Sequence, residues 1–503
     1  MKDADLPTLH DLFYSRGVAI VGASSNPAKP GYKIIENMVT QGYSYGIFPV
    51  NPRLESVLGL RCYRSVLDID DNVDLVVFVV PAPEVLRIVE EELSARKRTR
   101  GDVKGVVVIG GGFKEMGEEG AAKELHMKGE LRSLGIRLIG PNCQGLINTE
   151  TGLNTTFDMN IKPRRGGVSV ITQSGALGNG ILRMAATRGH FGIDKFISFG
   201  NMGDVDAAEA IDYLSGLQTT RVIAAYIEDV PDGRAFYESM RRAAGRKPVV
   251  ILKPGRTRLG AQAALSHTGA LAGEDLIWDA AIRQAGALRA YTLKEFYDAV
   301  RVLEKLPPLR GPNIAVLTVV GGPGTLCVDR IHSSRCLRMA RLSDVSKERL
   351  RRILAPVANV GRPEGYVDMT GSVTEELHYE ALKIVLEDGG VDGVIFLEEP
   401  PTYLSERWAS EVVRAYSEQD PVRAKPVVAT VVAGDAVYDH IRILEEGGIP
   451  VFEHPEAAVD AIDKAAEYHL RTSCGGKRAA GGDLRHQIHA ISRRSARASR
   501  AGG

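Results

Sequence analysis

Several groupings that mark whole classes of protein are missing from this sequence. The five cysteines, Cys62, Cys143, Cys327, Cys336 and Cys474, include no CxxC pair. That excludes a zinc-ribbon pattern and a disulfide framework, and it suits a reducing cytoplasm. No apolar run reaches membrane-spanning length, and the N-terminus MKDADLPTLHDLF has no apolar signal core. An excess of one charge is also missing. Lys+Arg and Asp+Glu both number 63, so no global field draws in nucleic acid or a membrane surface. There is no phosphate-binding GxxxxGK[ST] loop, no HExxH metal helix and no GxSxG nucleophile elbow. Glycine, in contrast, is plentiful at 54 residues, above the usual roughly 7 %. With no collagen period, the excess belongs in turns where backbone approaches a ligand or a helix.

A chain of 503 residues has room for about three domains. Residues 17–22, GVAIVG, read as a short buried strand, followed by a helix from about Tyr32 to Gln41 and a strand in YGIFPVN. DLVVFVVPAP, VKGVVVIGGGF and IRLIGPNCQG repeat the plan. Short Val/Ile/Leu strands alternating with helices predict an α/β fold with a parallel sheet, here a doubly wound Rossmann-like domain over 1–150. Its first turn is G-A-S-S rather than G-x-G-x-x-G, a departure from the dinucleotide fingerprint. A basic linker around Lys162, Arg164 and Arg165 leads to a second domain over 163–306, with GVSVITQSGALG, KFISFGN, RVIAAYIEDV and KPVVILKPG as strands and turns. After the proline-rich 306–312, a third domain over 311–470 uses NIAVLTVVGGPG, VDGVIFLEEPP and KPVVATVVAG. The last two read as flavodoxin-like doubly wound sheets and as an internal duplication, with His440 and His454 of the third expected at the surface. Residues 471–503, rich in Gly, Ala, Ser and Arg, are expected to form a basic, disordered tail.

The residue that draws attention chemically is His267, in GAQAALSHTGALAG. Small neighbours leave an imidazole free to meet a bulky ligand or to swing. The segment is expected to be a loop or a helix start beyond the strand 247–252, at the edge where open α/β sheets bind ligands, against the alternative of an ordinary loop histidine with its hydrogen bonds satisfied. A neutral imidazole attacks a phosphoryl group at one nitrogen if the other donates its proton to a carboxylate. Glu228, ending YIE, is the candidate carboxylate, against its alternative as a solvated strand-end residue. Ser174 and Gly175 stand where a helix begins and are either a phosphate cradle or an ordinary serine cap. Ser24 and Ser25 offer a weaker anion site of the same kind.

Taken together, VGASSNP, FVVPAP, GPNCQG, TQSGALG, YIEDV and SHTGALAG resemble, in order and spacing, the α subunit of succinyl-CoA synthetase. The sequence is more similar to the α subunits of ADP-forming acetyl-CoA synthetases (acetate–CoA ligases), which carry the third domain. The resemblance spans residues 10 to about 465 and departs at Gln144, usually proline in the succinyl-CoA enzymes, and in the longer turn of 358–372. It implies an acid–thiol ligase catalysing acyl-CoA + ADP + phosphate ⇌ carboxylate, by default acetate, + ATP + CoA. CoA would lie against Gly22, Ala23, Ser24, Ser25 and Asn26, along Val80, Pro81 and Ala82, and beside Gly110, Gly111 and Gly112. Phosphate would meet Ser174, Gly175 and Ala176 beside Asn142 and Gly145. His267 would carry the phosphoryl group with Glu228 as its partner, and this chain would hold no metal. The resemblance further implies a separate ATP-grasp β subunit in an α2β2 assembly, with Mg²⁺ and ADP/ATP bound there. The alternatives are a non-catalytic CoA-binding regulatory protein of the same fold and, less in keeping with the turn, a nicotinamide-dependent oxidoreductase.

Overall fold

The computed structural model describes residues 6–158, 162–188, 191–268, 274–400, 404–433 and 437–473. The chain forms two compact units, residues 1–300 and 301–503.

The first unit holds two parallel sheets. In the first, β1 (Gly17–Val21), β2 (Gly46–Val50), β3 (Leu75–Phe78), β4 (Gly105–Val108) and β5 (Arg137–Ile139) lie in the order 2-1-3-4-5. All of β1, β3 and β4 is buried, as expected of strands covered by helices on both faces. Helix α1 (Pro30–Thr40) follows β1 and opens on a proline, whose missing N–H costs nothing at a helix start. Helix α2 (Ala82–Ile88) follows β3 and α3 (Glu118–Ser133) follows β4. Chain order reverses between β1 and β3, and the crevice beyond the carboxyl ends of such a pair is where doubly wound sheets bind ligands.

The second sheet begins inside the first domain's expected span. β6 (Gly145–Asn148) and β7 (Leu153–Asn154) form a hairpin, and β6 pairs antiparallel with β9. The parallel core is β8 (Arg165–Thr172), β9 (Ile193–Ser198), β10 (Val222–Tyr226), β11 (Val249–Leu252) and β12 (Leu288–Ala290). Its order is again 2-1-3-4-5, with the hairpin added at the β9 edge. Helices α4 (Gly175–Arg188), α5 (Ala207–Gly216), α6 (Gly233–Ala244), α7 (Arg258–Thr268) and α8 (Asp275–Ala285) connect these strands. The two sheets share one apolar core running from Leu9 and Ile35 to Ile211, Ile251 and Ile282. Buried Arg137 of β5 reinforces the junction, donating at 2.7 Å to Asp204 and at 2.7 and 3.0 Å to Glu209.

The second unit is a third sheet on the same plan. β13 (Asn313–Thr318), β14 (Arg338–Met339), β15 (Asn359–Val360), β16 (Tyr366–Asp368), β17 (Gly393–Glu398), β18 (Val427–Val431) and β19 (Val451–Phe452) place β13 next to β17, then β18 and β19. On the other side of β13 stand β14 and β16, with β15 antiparallel to β16. Helices α9 (Gly321–His332), α10 (Glu375–Glu387), α11 (Arg407–Ser417), α12 (Tyr438–Glu446) and α13 (Pro455–Ser473) cover it. The expected surface position of His440 is corrected here. Its ring stacks on buried Trp408 at 5.5 Å, and both ring nitrogens are buried. His454 is exposed. The tail beyond Ser473 lies outside the described residues. No described helix is long and apolar enough to cross a membrane.

Candidate functional site

At the crevice of the first sheet, glycines let three strand ends close on one another. A Cβ on Gly22 (φ 92°) would come within 2.9 Å of the Val79 carbonyl and of Val80, and one on Gly110 within 3.0 Å of the Val80 carbonyl. A side chain at either would force the strand end apart from Val79 and Val80, which lead from β3 into α2. Helix α1 closes the other side, where a Cβ on Gly31 would meet the Gly22 carbonyl at 2.1 Å. The amides of Gly22 and Ala23 already donate to the Val50 carbonyl at 3.1 and 3.3 Å. Asn26 N–H donates to Ser24 Oγ at 3.1 Å and Ala28 N–H to Asn26 Oδ1 at 2.9 Å. What the GASSN turn offers a phosphate is thus the O–H groups of Ser24 and Ser25 and the amides of the same two residues, the flanking amides being already used.

Three loops then stack between the sheets. Asn142 N–H donates to the Gly110 carbonyl at 3.1 Å, Asn201 N–H to the Pro141 carbonyl at 3.0 Å, and Gly203 N–H to the Gly140 carbonyl at 2.9 Å. Asn142 takes the left-handed conformation (φ 57°) to make this turn. Glu115 braces the stack. Its Oε1 accepts from the N–H groups of Gly112 and Phe113 at 2.5 and 3.1 Å, and its Oε2 from Asn201 Nδ2 at 2.6 Å. The same amide donates to Glu124 Oε2 at 2.9 Å. Burial pushes the Glu124 carboxyl above the usual range, whereas Glu115, despite its burial, is held below it by Asn201 and the backbone donors. Gly111 is exposed and Gly112 half-buried at the rim of this stack.

These loops face the second sheet across a cavity of about 100 Å³ whose lining includes Lys114, Asn142, Gln173, Asn201, Met202 and Glu228. Several water-sized spheres fit in such a space, but it is well below a drug-sized pocket. Glu228 follows β10 and is buried, not solvated, with 7 % of its surface exposed. Gln173 Oε1 accepts from the Glu228 amide and, at 2.9 Å, from the Asp229 amide. Tyr226 is hydrogen-bonded to Glu228, and burial together with that carboxylate pushes the phenol above its ordinary range.

Ser174 acts as a helix cap. Its Oγ accepts from the Leu177 amide at 3.3 Å, and Thr172 Oγ1 accepts from the Ser174 amide at 3.1 Å and donates to the Ser174 carbonyl at 2.8 Å. The amides of Gly175 and Ala176 have no acceptor among the described residues. Beside them is Gln144, whose buried Oε1 is unpartnered and whose side chain lies where a Gly175 Cβ would be, at 2.7 Å. A helix start with free N–H donors is where an anion is stabilised, whereas the Gln144 oxygen beside it is an acceptor that calls for a donor. Gly145 (φ 95°) lies in β6, where a Cβ would strike Thr155 Oγ1 at 2.4 Å. Its glycine is required by that contact.

His267 is neither on a loop nor at a helix start. Its backbone lies in the last turn of α7; its side chain, and residues 269–273, lie outside the described residues. Helix α7 follows β11, the neighbour of β10, so His267 and Glu228 rise from adjacent strands. Gln173, Asn201, Glu115 and Lys253 escaped the sequence reading. The first two sit inside TQSG and FGN, turns whose small residues drew the eye past their amides.

The fold and site define a class: CoA-handling ligase subunits of the succinyl-CoA type. Residues 16–149 match the model of the CoA binding domain and residues 165–303 that of the succinyl-CoA ligase like flavodoxin domain. The α subunit of acetate–CoA ligase [ADP-forming] II from Pyrococcus furiosus is 40 % identical over 89 % of this chain and 95 % of its own. Acetate–CoA ligase [ADP-forming] I of Archaeoglobus fulgidus is 37 % identical over 91 % of this chain but only 63 % of its own. The structure of dinucleotide forming acetyl-coenzyme A synthetase 1 of Ca. Korarchaeum cryptofilum, in complex with phosphate and ADP, is 30 % identical, covering 92 % of this chain and 97 % of that one with a TM-score of 0.85. This chain belongs to the α subunits of the ADP-forming acetate–CoA ligase family.

Proposed function

We propose that this chain is the catalytic α subunit of an NDP-forming acyl-CoA synthetase, converting acyl-CoA, ADP and phosphate to a carboxylate, ATP and CoA. The observation that carries the reading is the cavity between the two sheets of the first unit. It brings Asn142, Gln173 and Glu228 together at the edge from which the His267 helix leaves. CoA lies in the groove of Gly22, Val80 and Gly110, its phosphates near Ser24 and Ser25. A phosphate oxygen, with its anion held by the free amides of Gly175 and Ala176, attacks the thioester carbonyl. The C–S bond breaks, the thiolate leaves and takes up a proton, and an acyl phosphate remains.

The unprotonated nitrogen of His267 then attacks phosphorus. The N–P bond forms as the bond from phosphorus to the acyl oxygen breaks, and the carboxylate departs. The other imidazole N–H donates to Glu228, which holds the tautomer and stabilises the cationic phosphoimidazole. ADP finally accepts the phosphoryl group as the N–P bond breaks. That step belongs to a separate ATP-grasp β subunit carrying Mg²⁺ and the nucleotide, in an α2β2 assembly. Support for the partner comes from the Archaeoglobus relative, whose chain extends well beyond the 63 % matched here. The four described cysteines are all unpaired, which supports a cytoplasmic setting. The experiment is incubation of the chain with acetyl-CoA and ³²P-labelled phosphate. An acid-labile label and release of CoA are expected; CoA binding with neither would leave only a binding protein.

A further inference from the structure

Buried cations of the second domain are paired, with one exception among the described residues. Lys195 bonds Asp194 at 2.7 Å, and Arg289 is ion-paired with Asp275. Lys253, only 2 % exposed, has no carboxylate within ion-pairing distance. Of its three N–H donors, one is used, to the Pro254 carbonyl at 2.9 Å, and the ammonium lies 5.0 Å from the centre of the Trp278 ring. Burial pulls it below the ordinary lysine range, and the charges that act on it are Asp229, Arg289, Asp275 and Glu228.

A buried charge without an ion-pair partner is costly, and an apolar residue of similar volume is usually the more stable choice. The third domain makes that choice. Tyr226 of β10 stands opposite Leu252, and Leu397 of β17 opposite Thr430. One residue further along, the second domain has Lys253 and the third has Val431. A charge retained at such a cost, beside two carboxylates and just ahead of the helix bearing His267, calls for a reason outside folding.

We propose that Lys253 is a positioning residue for phosphoryl transfer. Its fixed positive charge offsets Glu228 and Asp229, so that a phosphoryl anion is not repelled from the end of β10 as it is brought onto the segment following β11. This rests on His267 as the phosphoryl acceptor. The test uses the full chain with acetyl-CoA and ³²P-labelled phosphate, comparing Lys253→Met, a neutral near-isostere, with Lys253→Arg. Lys253→Met is expected to lower the labelling rate at least about tenfold, less than the roughly 10²–10³ lost with a donor that touches the developing charge. Its KM for acetyl-CoA and its CoA affinity should be unchanged and its melting midpoint equal or higher, while Lys253→Arg should recover most of the rate. Wild-type labelling in Lys253→Met overturns the proposal. So does loss of labelling only together with a lower melting midpoint and weaker CoA binding, and so does Lys253→Arg as slow as Lys253→Met. A wild-type chain that takes no label, or takes it elsewhere than His267, instead removes the phosphohistidine reading and this proposal with it.

Discussion

The second and third domains are one frame used twice, and they differ at the strand ends around which phosphoryl transfer is proposed. Each begins with a strand ending in threonine whose hydroxyl donates to the carbonyl, and accepts from the amide, two residues on: Thr172 with Ser174, Thr318 with Val320. Each then starts a helix on glycine. The register carries the match to the next strand, where Glu228 and Glu399 each lie two residues past the partner of that threonine. The buried charge beneath those ends is handled in opposite ways. In the second domain it is the solitary Lys253, lying on Trp278, which in turn meets Phe236 edge-on at 5.9 Å. In the third it is Glu398, hydrogen-bonded to His378. The His378 ring reaches Glu398 Oε2 at 2.9 Å and the Thr374 carbonyl at 2.8 Å, so Nδ1 carries a proton and one further proton is shared with the carboxyl. Trp408 packs between His378 and His440. In the third domain the buried carboxyl is met from within the domain, by His378. In the second the buried cation meets one backbone carbonyl and an indole ring, with no carboxylate at ion-pairing distance.

That contrast can be broken at several points. The largest effect is expected from His267→Ala, which should abolish phosphoryl labelling and leave CoA affinity unchanged in titration; full turnover would refute the assignment. Glu228→Gln should slow labelling about 10²-fold, on the scale of acid–base groups, whereas Glu399→Gln at the equivalent register should leave it unchanged. Equal effects of the two would erase the distinction. Val431→Lys, which puts a lysine at the equivalent buried position of the third domain, opposite Glu398, should lower stability in urea unfolding by less than the roughly 3–5 kcal/mol of an unpaired buried charge and leave labelling intact. His378→Leu, which strands the Glu398 carboxyl, should cost a similar or smaller amount, about 2–3 kcal/mol, with no kinetic change.

The smallest effect is one of pH. Burial, opposed by His378 and aided by Glu399, raises the Glu398 carboxyl above its ordinary 4.5. Its contribution to stability is therefore fully present below that value and is lost as pH rises through the elevated one. Glu398→Gln should flatten this slope; an unchanged slope would place the titration elsewhere.

The alternation of short Val/Ile strands with helices made the doubly wound plan legible in the sequence, and the two KPVV strands do occupy the same place, β11 and β18. The GASSN, VPAP and GGGF turns gather at the edge of the first sheet because glycine and chain reversal are both local signals. Less legible was whatever depends on register. Nothing local tells that Gly145 starts a hairpin of the second sheet, that Ser174 caps its own helix while Gln144 covers it, or that Asn201 joins two glutamates far away in sequence. His440 was misread because charged neighbours along a helix say little about the one face that turns inward onto Trp408. His267 was expected on a loop because glycine and alanine dominate its neighbourhood, yet alanine is also the best helix former, and α7 runs through it.

The most direct test of the account is to map the phosphate. The chain is incubated with acetyl-CoA and ³²P-labelled phosphate, digested at neutral pH and sequenced by mass spectrometry. Acid-labile phosphate on the peptide that contains His267, and nowhere else, is the expected result. Turnover with the label on another residue, or with no phosphoenzyme at all, would contradict it.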